Sequence, residues 1–172
     1  MSEDIDDDAF RWRPMTRDDL ADVARIAALV HPDYPEKDAV FAERLELHPA
    51  GNLLLLDPAG KAAGYVVSHP WSFAAAPALD SLLGALPARG DNYYIHDIAL
   101  LPAARGRGAA RKAVERLAAL AKLQGCARVS LVAIAGTQAF WERQGFAVIA
   151  RADLDEILKS YDASARYMSR AV

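Results

Sequence analysis

The sequence predicts a mixed α/β fold in one domain, and three observations carry that expectation. Apolar residues alternate with period two in some segments and recur at helical spacing in others, and the two kinds succeed one another along the chain. At 172 residues the chain suits a single domain, at roughly 150 residues per domain. Its one cysteine, Cys126, leaves no internal disulfide, so the core must come from packing, and a reducing compartment such as the cytoplasm is expected.

Taken in order, Met1–Asp8 holds five acids and little to bury, and reads as a disordered leader ahead of a domain over residues 9–172. Phe10–Pro14 alternates like a short strand stopped by proline. Thr16 and Asp19 form a capping-box-like start to a helix whose apolar side is Leu20, Val23, Ala24, Ala27 and Ala28. A second helix is expected over Pro35–Leu47. Asn52–Leu56 and Ala62–Val67 read as strands joined by an Asp57-Pro-Ala-Gly60 turn. His69–Asp91 is a long irregular insertion around a short helix at Leu79–Leu86, and insertions of that length are usually functional.

The second half is more regular. Tyr93–Leu101 is the clearest strand, ended by Pro102. A helix over Gly108–Gln124 follows, with Val114, Leu117, Ala118 and Ala121 on one side and Gly125 past its end. Then come a strand at Arg128–Ala135, a helix at Thr137–Gln144, a strand at Phe146–Ala150, a helix at Asp153–Tyr161 and a last strand at Ala165–Ser169.

The charge balance is informative only when read along the chain. The formal net charge is -3, yet the acidic leader accounts for all of it: residues 9–172 hold 20 basic against 18 acidic groups. Arg105–Arg116 carries five bases and one acid, which suits a local anion site rather than a nucleic-acid coat. Its arginines alternate with apolar Ala, Val and Leu, and no aromatic platform accompanies them. The hydrophobic share of 53% is inflated by 36 alanines, and the longest uncharged run, Ala62–Leu79, is interrupted by Ser, His and Pro, so no membrane span is expected. His31 and His48 precede prolines near helix ends and read as caps or surface residues; no metal site is expected.

The segment richest in chemistry is Leu100-Leu-Pro-Ala-Ala-Arg-Gly-Arg-Gly-Ala-Ala110, between the best strand and the best helix. Backbone N–H groups turned inward at a helix N-terminus, together with the helix dipole, bind phosphate. Arg105 and Arg107 add charged donors, and Gly106 and Gly108 let the backbone approach an anion. It is not a P-loop, because no Lys-Ser/Thr follows the glycines. It is not the dinucleotide fingerprint either, because Arg111 stands where the third glycine belongs.

These residues resemble the GNAT superfamily of N-acetyltransferases. Their acetyl-CoA loop, [Arg/Gln]-x-x-Gly-x-[Gly/Ala], is matched by Arg105, Gly108 and Ala110. Phe140-Trp-Glu-Arg-Gln-Gly-Phe146 is similar to the second signature, and Arg13, Pro14, Thr16, Asp19 and Leu20 resemble the opening strand and helix. The resemblance spans roughly residues 10–170. It implies a mixed, mainly antiparallel sheet flanked by helices and splayed between the strands at Tyr93–Leu101 and Arg128–Ala135, with acetyl-CoA in the split. It also implies that the backbone along Ile98, Ala99 and Leu100 pairs with the pantetheine arm. Backbone N–H groups from Arg105 through Gly106, Arg107, Gly108 and Ala109 to Ala110 then hold the pyrophosphate, Trp141 lines the thiol end, and Arg143 reaches toward the phosphates.

Acetyl transfer to an amine needs the amine neutral. A lysine-like amine with a pKa of ~10.4 pays roughly 4.6 kcal/mol for that at neutral pH, and a positioned base is the usual remedy. Strict alternation places Tyr94, His96, Ile98 and Leu100 on one face of their strand, with Tyr93, Ile95 and Asp97 on the other. His96 resembles the base of GNAT enzymes that act on arylalkylamines, and a histidine titrates in the required range. A buried strand histidine holding a neighbour fits the position equally. Tyr94 serves either as a proton relay or as packing, and Asp97 as a structural acid pairing with Arg128 or capping a helix. Trp141 stands where the family commonly has a tyrosine acid, and indole cannot protonate a thiolate. The resemblance therefore implies an acetyl-CoA-dependent N-acetyltransferase acting by direct attack in a ternary complex on a small-molecule or peptide amine. A catalytically weak or inactive acyl-CoA-binding sensor is the alternative, and a homodimer is compatible with either. No nucleic-acid or membrane partner is expected.

Overall fold

The structure, a computed structural model, describes residues 9–172, and the acidic leader expected at Met1–Asp8 lies outside them. Seven strands, β1 (Arg11–Pro14), β2 (Leu53–Leu56), β3 (Ala62–Trp71), β4 (Asn92–Leu100), β5 (Arg128–Ala133), β6 (Ala147–Val148) and β7 (Arg166–Ala171), form one sheet in the order β1-β2-β3-β4-β5-β7-β6. Every neighbouring pair is antiparallel except β4 and β5. Five α-helices accompany it: α1 (Leu20–Val30), α2 (Asp38–Leu47), α3 (Ala109–Leu123), α4 (Gln138–Arg143) and α5 (Asp155–Lys159). This is the mixed, mainly antiparallel, helix-flanked architecture expected from the sequence.

Local chemistry explains the first elements. The Asp19 carboxylate accepts the Thr16 backbone N–H at 2.7 Å and a two-pronged bond from Arg13 at 2.7 Å on each side, which turns β1 into the start of α1. Between β2 and β3, Gly60 adopts φ +80°, the left-handed conformation that lets its N–H reach Asp57 O at 2.9 Å. Helices α1 and α2 bury Val23, Ile26, Phe41 and Leu45 against Leu54, Tyr65, Val67 and Ala99 on one face of the sheet. On the other face α3 buries Ala113, Val114, Leu117 and Ala121 against Leu53, Val66, Ile95 and Val129. Each layer excludes water from an apolar stripe, which is the dominant favourable term in folding.

Two expectations are corrected. Leu79–Leu86 forms no helix; it runs as extended and bent backbone through an insertion that begins after Trp71. Its polar groups are satisfied by side chains of other elements. Leu83 and Gly84 donate their N–H groups to Glu43 (2.6 and 3.0 Å), Ser81 O accepts from Arg44 (3.0 Å), and Leu79 N–H reaches Ser160 Oγ (3.3 Å). A backbone supplied with partners this way does not need helical bonds. The second correction concerns β4. Val67 pairs with Asp97 but Ser68 pairs with Ile95, so His96 is an extra residue in a β-bulge. Beyond it the faces exchange: Ile98 and Leu100 join Tyr93 and Ile95 on the α3 side, while Tyr94, Asp97 and Ala99 face the other layer. Strict alternation had put His96, Ile98 and Leu100 together.

The bulge lies where β4 leaves its parallel neighbour. Pairing with β5 covers only Asn92–Ile95 against Arg128–Leu131. From His96 onward the two strands diverge, and this is the predicted split.

Candidate active site

The split opens into a cavity of about 680 Å³ that runs from the loop before α3 to the loop between α1 and α2. At the α3 end, Gly106 and Gly108 both adopt left-handed backbone, φ +72° and +76°, and Gly108 is the N-cap of the helix. A β-carbon at either would be strained, so glycine is required. The N–H groups of the first turn have no intrahelical acceptor and open at this end. Arg105, Arg111 and Arg143 line the same end.

Most of the expected cofactor residues meet here. Ile98, Leu100, Arg105, Gly106, Gly108, Ala109, Ala110 and Trp141 all line the cavity. Ala99 does not: its carbonyl turns toward Gly64 in β3 and its side chain lies in the α1–α2 layer. The alternating carbonyls of Ile98 and Leu100 accept instead from side chains, His31 Nε2 at 3.1 Å and Arg105 Nε at 3.1 Å. Arg107 also turns away. Its Nε donates to Ala103 O at 3.0 Å and its guanidinium lies 5.2 Å from the centre of the Phe10 ring. Trp141 is 6% exposed and wedged edge-on between Phe140 and Phe146.

The other end is acidic and was only partly foreseen. His96 Nε2 lies 2.8 Å from Glu36 Oε1; the His96 side chain is 1% exposed and that of Glu36 5%. The second Glu36 oxygen accepts the Asp80 N–H at 3.1 Å. Beside them Asp97 accepts from His31 Nε2 at 3.0 Å and from the Tyr65 hydroxyl. His31 is the C-cap of α1, one of its two expected readings, but its side chain is a partly buried cavity residue and not a surface one, and Asp97 does not reach Arg128, whose Nε donates to Ser169. His48 likewise is buried at the end of α2, with Nε2 3.1 Å from the Tyr93 hydroxyl. Tyr94 does not line the cavity. Among the described residues its buried hydroxyl has no partner of good hydrogen-bond geometry, and burial, with Tyr161 beside it, holds its pKa far above the ordinary phenol value. Tyr34 and Tyr161, from distant segments, are the phenols that do line it. Neither they nor Glu36 carry a local sequence signal.

Burial opposes the charge on His31, but the hydrogen bond and negative charge of Asp97 outweigh it and raise its pKa. Burial likewise opposes ionisation of Asp97, and the His31 hydrogen bond and charge, with the Tyr65 phenol, hold its pKa below the usual carboxylate value. A histidine with a raised folded pKa stabilises fully below its unfolded value of ~6.5, and that contribution is lost as pH rises through the folded value. Urea unfolding of wild type and His31→Gln is therefore expected to show a larger stability gap near about pH 5.5 than near about pH 8.5, since Asp97 is ionised at both. A gap that did not change with pH would remove this ion pair from the account.

The sequence profile of the acetyltransferase (GNAT) family matches residues 14–146. The chain belongs to that family. Other GNAT folds superpose over nearly the whole chain. The loading GNATL domain of CurA from Lyngbya majuscula is 12% identical with a TM-score of 0.78, covering 95% of this chain and 98% of that one. The ribosomal-protein-S18-alanine N-acetyltransferase from Escherichia coli is 19% identical with a TM-score of 0.66, covering 95% and 94%. Arabidopsis thaliana Naa50 in complex with the bisubstrate analogue CoA-Ac-MVNAL is 12% identical with a TM-score of 0.69, covering 95% and 99%. At such identities these GNAT structures share the fold alone. Comparison with curated proteins gave no significant match. Among the described residues of this GNAT chain, no three His, Cys, Asp or Glu side chains form a group that could hold a metal, and no helix is long and apolar enough to cross a membrane.

Proposed function

We propose that the chain is an acetyl-CoA-dependent N-acetyltransferase in which an amine attacks the thioester directly while both substrates are bound. The observation that carries this reading is one continuous cavity joining the glycine loop at the head of α3 to the buried Glu36–His96 pair. The residues present suit acetyl-CoA. Left-handed Gly106 and Gly108 with the first-turn N–H groups of Ala109 and Ala110 form an anion cradle, and three arginines surround it. The carbonyls of Ile98 and Leu100 face the split, and a pantetheine arm pairing with them competes with the His31 and Arg105 side chains that hold them here. Bound there, acetyl-CoA would supply an acetyl group activated as a thioester.

His96 takes the extra proton of the bound ammonium, so that the free amine attacks the acetyl carbon and loses its second proton to solvent as that bond forms, and Glu36 holds the imidazole in place and offsets its positive charge. The departing sulfur carries the electron pair of the broken C–S bond and needs a proton in return. Trp141 cannot give one, and the phenols that line the cavity are committed elsewhere, Tyr34 to Asp162 and Tyr161 to Pro77 O, so the sulfur takes its proton from solvent.

Calorimetry is expected to show acetyl-CoA binding in the micromolar range, weakened at least roughly tenfold by Gly108→Val, where a β-branched residue cannot hold the left-handed N-cap, and by Arg105→Ala. A thiol-release assay across an amine panel then separates enzyme from sensor. Absence of acetyl-CoA binding by the folded protein would sink the proposal.

A further inference from the structure

We infer that the acceptor is a compact primary amine bearing no carboxylate beside its nitrogen, selected by the Glu36 and Asp97 carboxylates at the far end of the cavity. This rests on the N-acetyltransferase reading above and names its substrate class. The two ends of the cavity differ in charge. Its arginines, Arg105, Arg111 and Arg143, belong to the glycine-loop and α4 side. At the opposite end stand two carboxylates, and the basic groups beside them are already engaged: His96 with Glu36 at 2.8 Å and His31 with Asp97 at 3.0 Å. No lysine lines the cavity. Arg44 is buried behind it, but its guanidinium is turned to Glu43 (2.8 Å) and Ser81 O (3.0 Å), and it is not a wall residue.

Each carboxylate already accepts two donors, Glu36 from His96 and the Asp80 N–H and Asp97 from His31 and the Tyr65 hydroxyl, and an ammonium group entering this end adds a further, charged donor to them. The α-carboxylate of an amino acid is carried to the same place, a bond or two from the nitrogen. There it meets like charge and no free cation to pair with, which is the arrangement that discriminates most strongly between related ligands. The fold is shared with the ribosomal-protein-S18-alanine N-acetyltransferase and with Naa50, seen with a CoA-Ac-MVNAL analogue, so the walls of this site and not its fold must set the acceptor.

Those walls close over the amine. Val30, Tyr34, Leu79 and Tyr161 supply apolar and aromatic surface from three separate segments, and hydrogen bonds tie the three together. Tyr34 OH donates to Asp162 at 2.6 Å, Tyr161 OH to Pro77 O at 2.8 Å, and Leu79 N–H to Ser160 Oγ at 3.3 Å. Asp162 itself accepts four donors, from Tyr34, the Ala135 N–H, and the N–H and hydroxyl of Ser164. The Asp80–Glu36 bond joins the insertion to the acidic wall. A small amine fits inside such a cover, whereas a polypeptide must thread out through it.

The test compares matched acceptors with acetyl-CoA in a thiol-release assay on the full chain: tyramine against tyrosine and tyrosylglycine, phenylethylamine against phenylalanine, isoamylamine against leucine, with putrescine as a further amine. The carboxylate-free amines are expected to exceed the amino acids and the dipeptide by at least ~100-fold in kcat/KM. Glu36→Gln is expected to narrow the tyramine-to-tyrosine ratio by roughly tenfold or more, chiefly through the KM of tyramine; taking the ratio cancels any loss of rate common to both. Comparable turnover of amino acids or the dipeptide overturns the acceptor class and leaves the N-acetyltransferase reading standing. No turnover of any acceptor by protein that still binds acetyl-CoA overturns both.

Discussion

Replacing His96 by glutamine is expected to lower kcat by roughly 10²–10⁴-fold, the usual contribution of a positioned general base. Acetyl-CoA binding should be untouched, because the glycine loop lies at the other end of the cavity. The physical reason is the protonation of the acceptor. An amine with a pKa near ~10.4 is free only in about one part in a few thousand at neutral pH, and a base held 2.8 Å from Glu36 takes the extra proton of the bound ammonium so that its nitrogen can attack. With glutamine there, the rate follows the free amine alone. It should climb about tenfold per pH unit until the amine's own pKa is reached, while the wild-type rate levels off earlier. The check is a pH–rate profile for both proteins on one amine. A variant profile parallel to wild type would remove His96 as the base and leave it a structural strand histidine.

The second large effect is on stability. Arg44 is fully buried in α2, and its guanidinium holds Glu43 and the carbonyl of Ser81. Glu43 in turn accepts the N–H groups of Leu83 and Gly84, so this pair anchors the insertion whose Leu79 lines the cavity. Truncating one member of a buried ion pair leaves the other charge without its partner, at a cost of about 3–5 kcal/mol. Arg44→Ala should therefore lower the melting midpoint by roughly 6–20 °C for a chain of this size. Arg44→Met combined with Glu43→Gln should recover part of the loss, since that pair leaves no unpaired charge. A single-variant loss under about 1 kcal/mol would show that the pair does not hold the insertion.

How much was legible in the sequence follows from the range of the interactions involved. Capping at Thr16–Asp19, the turn at Gly60 and the strand–loop–helix around Gly106 and Gly108 are decided by residues a few positions apart, and the structure has them where the sequence indicated. The missing helix at Leu79–Leu86 is different. Its segment has ordinary helical composition, but Glu36, Glu43, Arg44 and Ser160, far along the chain, satisfy its backbone in another shape. The bulge at His96 was equally invisible. It is a property of the register between β3 and β4, and one extra residue reverses every side chain beyond it.

By itself, the sequence determined the glycine loop before α3, the order of elements apart from the helix expected at Leu79–Leu86, and the family, because left-handed glycines and a helix start are set within a dozen residues. Tertiary structure alone decided the other end of the cavity. His31, Tyr34, Glu36, Leu79, His96, Asp97 and Tyr161 are scattered over more than a hundred positions and converge there. Their meeting depends on where β4 parts from β5 and on what closes over the gap. No short-range pattern encodes that, since each residue is chosen for neighbours that only the folded chain brings near.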